Sequence, residues 1–151
     1  MTLTNRNLLS VGFAGVLLSM SSPAIAQNCR PLGVVGGIGT SVTKTVSPPA
    51  TLWTRNNWNT DFEVPGGARF NRYVVRMTAQ TGAAFPTKIF LKYSNNTADN
   101  FLNKTVPLNP GQSVTFPATP RPANDPFQVN VFVGGLSVVG QVYMLSVEGC
   151  F

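Results

Sequence analysis

Asp61 and Glu63 stand two residues apart, and in an extended strand that spacing sends both carboxylates to one face with backbone origins about 7 Å apart. Such a pair could serve a glycosidase. Phe62 and Val64 alternate with them, however, so the solvent face of a half-buried strand accounts for the same pattern, and no catalytic residue is assigned. The chain has no histidine, which removes Ser-His-Asp and Cys-His catalysis. Its five acidic residues are scattered and make no metal cage, so neither a metal nor another cofactor is expected. The glycine-rich stretch GVVGGIGT from Gly33 lacks a Gly-Lys-Ser or Gly-Lys-Thr and a framing strand and helix. It reads as a flexible lead-in, not a phosphate loop.

The second constellation is basic. Arg72 and Arg76 alternate with Tyr73, Val75, Met77 and Ala79, while Lys88, Phe90 and Lys92 alternate with Ile89, Leu91 and Tyr93. If these two strands are antiparallel neighbours, Arg72, Arg76, Lys88, Phe90 and Lys92 share one outward face. Its cations could grip an anionic chain, with the ring stacking on a sugar or base. The competing explanation is that the cations keep an outer face soluble and discourage edge pairing. Trp53 and Trp58 also admit a carbohydrate platform, but tryptophans of a small sandwich serve more often as core or lid, and that role is expected of both.

The elements that must position these groups are strands. No segment has the three-to-four-residue apolar spacing of an amphipathic helix, and period-two alternation recurs between Gly, Pro and Asn clusters. Strands are predicted at residues 41–46, 60–64, 71–79, 87–93, 104–108, 113–116, 127–133 and 141–147. Eight short strands suit an all-β, two-layer antiparallel β-sandwich. In the seventh, Phe127, Val129, Val131 and Val133 face in, with Gln128, Asn130 and Phe132 out. In the last, Tyr143, Leu145 and Val147 alternate with Val142 and Met144, and neither set is plainly the core. The stretch FPATPRPANDP reads as a stiff surface connection.

Residues 1–26 have the polar start, apolar run and small-residue cleavage site of a secretory signal, so the mature domain is expected to span residues 27–151. Asn28 before Cys29 argues against a lipoprotein, and no later run is long enough for a membrane span. About 125 residues suit one domain. Eleven Lys and Arg, less Arg6, against five acids leave a formal +5, which favours acidic partners, although an ordinary solubility device is the preferred reading of so modest a balance. The two cysteines, Cys29 and Cys150, meet an oxidising compartment and are expected to form one disulfide. Closing so long a loop contributes about 4 to 5 kcal/mol by chain entropy.

The lines WNTDFEVPGGARFNRYVVRMTAQTG, TKIFLKYS and FQVNVFVGGLSVVGQVYMLSVEG together resemble the bacterial pre-peptidase C-terminal domain over residues 58–147. The likeness rests on the turn Val64-Pro65-Gly66-Gly67, the short strand Ile89-Phe90-Leu91, and a closing hairpin from Val129 to Val147. It implies a jelly-roll-like sandwich that exported proteins use for binding, secretion or spacing. Those domains usually ride on an enzyme, and this chain has a signal of its own. They often carry Asp-rich calcium positions, where SNNTADN offers only Asp99.

The expectation is therefore a secreted, periplasmic or surface-associated accessory module without enzymatic activity. Its partner would be an anionic polysaccharide or envelope component, with nucleic acid set aside. The alternative is a self-associating subunit of a fibre, coat or matrix, whose neighbour would cover Phe90, Phe132, Val142 and Met144.

Overall fold

The computed structural model describes residues 28–151. The expected export signal lies outside the described residues. The strands are β1 (Cys29–Pro31), β2 (Gly33–Val34), β3 (Ser41–Thr45), β4 (Asn59–Glu63), β5 (Arg72–Ala79), β6 (Ala83–Lys92), β7 (Ala98–Leu108), β8 (Ser113–Ala118), β9 (Gln128–Val133) and β10 (Val142–Cys150). They form two five-stranded sheets with every pair antiparallel. In the first, β5 and then β8 flank one side of β10, while β1 and β3 share its other side. The second has the order β2-β4-β9-β6-β7. From β3 onward the chain changes sheet at every connection except the β6–β7 hairpin, which gives the winding of a jelly roll.

All eight predicted strands are present, and alternation decides which side of each is buried. Tyr73, Val75, Met77 and Ala79 on β5 face Phe85, Ile89 and Leu91 on β6 and Val129, Val131 and Val133 on β9 across the shared core. Each large side chain so buried contributes roughly 1.5 to 3 kcal/mol. Tyr143, Leu145 and Val147 prove to be the core side of β10. Two glycines let rings lie flat on the backbone: a Cβ at Gly149 would stand 2.5 Å from Phe70, and one at Gly134 2.3 Å from Trp58. The disulfide joins Cys29 to Cys150, which are direct cross-strand partners, and so ties β1 to β10 as expected.

Three local expectations fail for identifiable reasons. Phe127 is 46% exposed because β9 starts one residue later, and Phe127 bridges strand ends through its backbone, donating to Lys92 O and accepting from Val64 N. The Asn-rich stretch before residue 104 is strand from Ala98 onward, because the reversal is confined to residues 94–97. There Asn96 takes φ 60° and Tyr93 N donates to Thr97 O at 2.8 Å. The glycine-rich lead-in is ordered: Gly33 and Val34 pair with Glu63 and Phe62, and the turn after them uses Gly36 and Gly39 at positive φ.

Candidate functional site

The five residues expected on one basic face are divided between the two sheets. Arg72 and Arg76 belong to β5 of the first sheet, and Lys88, Phe90 and Lys92 to β6 of the second. The link at residues 80–82 looks like a hairpin turn but carries the chain from one layer to the other. Gln80 N and Thr81 N both donate to Val142 O, which holds the link at the first residue of β10 before β6 departs. The premise of adjacent strands fails, and the outward sides of β5 and β6 point away from each other. Arg76, exposed, stands between Ser146 and Thr115, while half-buried Arg72 lies opposite Cys150. The apolar outward positions divide in the same way, with Phe90 and Phe132 on the second sheet and Val142 and Met144 on the first.

Lys88, Phe90 and Lys92 instead meet residues of β4, β7 and β9. Across the outer face of the second sheet, Asp61, Asn130, Phe90 and Asn100 form one row by register. Glu63, Gln128 and Lys92 lie in the row on one side, and Asn59, Phe132, Lys88 and Asn103 in the row on the other. Asp61 organises the middle: its Oδ1 accepts from Lys92 Nζ at 2.7 Å and from Asn130 Nδ2 at 2.9 Å. Asn130 is only 5% exposed, so this bond fixes the orientation of its amide. The Lys88 ammonium sits 5.3 Å over the Phe132 ring, and Phe132 makes an edge contact with Trp58 at 5.9 Å. The half-buried Phe90 ring is thus framed by lysines along its own strand and by amides across its neighbours.

The two tryptophans have different fates. Trp58 is a lid at the sandwich end, its Nε1 donating to Ser47 O at 2.8 Å and its ring lying over Gly134. Trp53 is neither core nor lid, being 92% exposed in the loop between β3 and β4.

Other charged groups are committed to architecture. Arg121 donates to both oxygens of Asp99 at 2.9 and 2.6 Å and to Thr97 Oγ1 at 2.8 Å, and its guanidinium lies 4.2 Å from the centre of the Tyr93 ring. That guanidinium holds the Asp99 carboxyl below the usual range. Asp99 therefore clamps the Pro-rich loop to the β6–β7 hairpin. Among the described residues no group of three or more acids, cysteines or histidines could hold a metal. A cleft of about 520 Å³ beside this clamp includes Arg69, Phe70, Arg121 and Asp125 in its walls.

Lys44 was legible only as a strand residue, yet it faces inward and caps the open side of the sandwich. Its Nζ donates to Asn57 O, Asn59 O and Thr60 Oγ1 at 2.8 to 2.9 Å. Burial pushes its pKa below the ordinary lysine value, and the Asp61 charge opposes that shift. Asp61 and Glu63 share an outer face as the alternation requires, and Asp61 is engaged by Lys92 and Asn130. Among the described residues no helix is long and apolar enough to cross a membrane.

No family model matches the chain. No curated protein matches it either. Seven chains of solved structures do. One of them, described as "CBM4 structure and function", is similar over 74% of this chain and 92% of its own, with 14% identity and a TM-score of 0.31.

Proposed function

We propose that this protein is an exported, non-enzymatic β-sandwich module that binds glycan on the outer face of its second sheet. The single observation behind the reading is the Phe90 ring set among the Asp61, Lys92 and Asn130 network. A ring of this kind covers the apolar face of a pyranose, and a fixed amide and carboxylate beside it can meet ring hydroxyls. Asp61 Oδ1 already accepts two bonds, so Oδ2 is the acceptor left for a ligand. The disulfide between Cys29 and Cys150 supports an oxidising compartment, either the periplasm or the exterior. Under the same proposal the chain is a relative of pre-peptidase C-terminal domains.

The charge on this face argues for a neutral glycan over the polyanion anticipated from the chain as a whole. Lys88 and Lys92 are balanced by Asp61 and Glu63, and the arginines that would have tipped the balance lie on the other sheet. A glycan array on the mature protein, followed by calorimetry on the best ligand, tests the reading. Phe90→Ala should weaken binding by about tenfold or more, the loss expected when one stacking ring is removed. Arg76→Ser should leave binding unchanged, as should added salt, which screens exposed charge. Binding that survives Phe90→Ala, or disappears with Arg76→Ser, would place the site elsewhere.

A further inference from the structure

Leu52 and Trp53 are 94% and 92% exposed, and nothing in the fold explains two large apolar side chains held in water. They stand at the tip of a built turn. Thr51 N donates to Thr54 O at 2.9 Å, Thr51 Oγ1 accepts from Trp53 N and Thr54 N at 3.3 and 3.1 Å, and the two threonine hydroxyls share a 2.8 Å bond. The turn pairs Thr51 N, Trp53 N, Thr54 N and Thr54 O internally while presenting the apolar pair outward, which lowers the cost of taking the tip out of water. A second apolar loop rises at the same end of the sandwich. It carries Leu136, 76% exposed, and its base is joined to the base of the first loop by Val46 N to Gln141 O and Gly140 N to Val46 O.

The charge around this end is one-sided. The four loops that meet here, residues 46–58, 80–82, 109–112 and 134–141, contain Arg55 and not one Asp or Glu. An end that is apolar at its tip, cationic just behind it and free of acids complements an anionic lipid surface. Tryptophan is suited to the boundary between headgroups and acyl chains, where its ring is buried and its N–H stays hydrated. We infer that the Leu52-Trp53 tip inserts into the interface of an anionic bilayer, docking the sandwich end-on and leaving the outer face of the second sheet open to its own ligand. The docking is peripheral and reversible, since two side chains and one arginine make a small anchor.

The test uses the mature protein and sedimented vesicles of phosphatidylcholine, with and without phosphatidylglycerol. The protein should sediment with the mixed vesicles and much less with phosphatidylcholine alone, and Trp53 emission should shift to the blue on binding, a shift that Trp53→Phe removes. The double variant Leu52→Ser with Trp53→Ser should lower vesicle affinity by about tenfold or more. Both positions are exposed, so circular dichroism should show an intact fold, and the glycan array result should be unchanged, which separates this inference from the glycan reading. Absence of vesicle binding, or binding that the double variant retains, overturns it. A dimer that the double variant dissolves does so as well, by assigning the tip to a second copy.

Discussion

Replacing Tyr73 or Tyr143 by phenylalanine should make the protein more stable, although each removes an atom from the core. Both side chains are fully buried, and neither hydroxyl has a hydrogen-bond partner among the described residues. A buried polar group left without a partner costs about 1 to 3 kcal/mol, and deleting it keeps the shape of the ring. The ring contacts remain: Phe70 lies 5.7 Å from Tyr73, and Phe85 lies 6.0 Å from Tyr143. Each substitution should therefore gain about 1 kcal/mol, or about 4 °C in Tm for a domain of this size. Tyr73 pairs with Gly149, six residues along β10 from Tyr143, which separates the two by about 20 Å at the usual rise per residue. The double variant should add the two gains.

The pH dependence offers a second measurement of the same effect. Burial raises both phenol pKa values well above the ordinary one, so the unfolded chain releases these protons first, from about pH 10. Their contribution to stability is complete below that pH and is lost as pH rises towards the folded values. Lys44 acts oppositely, because its lowered pKa makes folding gain with pH up to about 10.4. Comparing variants with the parent cancels the lysine. Urea unfolding at pH 7 and pH 10.5 should show both phenylalanine variants more stable, with a wider margin at the higher pH. A loss of about 1 kcal/mol or more in either variant at pH 7 would refute the account, by showing that the hydroxyl holds a buried water.

Gly134→Ala should cost about 1 to 3 kcal/mol in the same urea assay, because the new methyl meets Trp58 and the Trp58→Ala background should remove most of that penalty. In acid, the Asp99 and Arg121 pair contributes stability above the ordinary aspartate pKa that is lost as pH falls through the lowered folded value; Asp99→Asn should flatten that part of the profile in a pH-dependent thermal melt. Opening the disulfide through Cys29→Ser with Cys150→Ser should cost about 2 to 5 kcal/mol by denaturant titration, with circular dichroism retaining its β signature if the core alone can hold the fold.

The residues at 71–79 and 87–93 show what alternation can reveal and where it stops. The inward side of each strand was legible, since one residue of slip would have buried Arg72 and Arg76. The sheet to which each strand belongs was not, because pairing is decided by contacts far along the chain, and the short link at residues 80–82 imitates a hairpin. Lys88, Phe90 and Lys92 kept their common side, but the network that gives them meaning is long-range: Asp61 stands 31 positions from Lys92 and 69 from Asn130. The short β1 and β2 went unread because Pro31 and Gly33 interrupt any alternation, and their pairing is enforced by the partner strand and the disulfide. Trp53 escaped for another reason: its type favours burial, and only the built turn beneath it shows that it is held out.

The position of β10 sets an order of events for the whole chain. The strand written last is the spine of the first sheet, and it alone pairs with β1 and β3, which are written near the start. Until residues 142–150 arrive, those early strands have no edge to join and Cys29 has no partner. Completion of the first sheet thus waits on residues 142–150, whereas the second sheet, β2-β4-β9-β6-β7, uses none of them and can form without that segment.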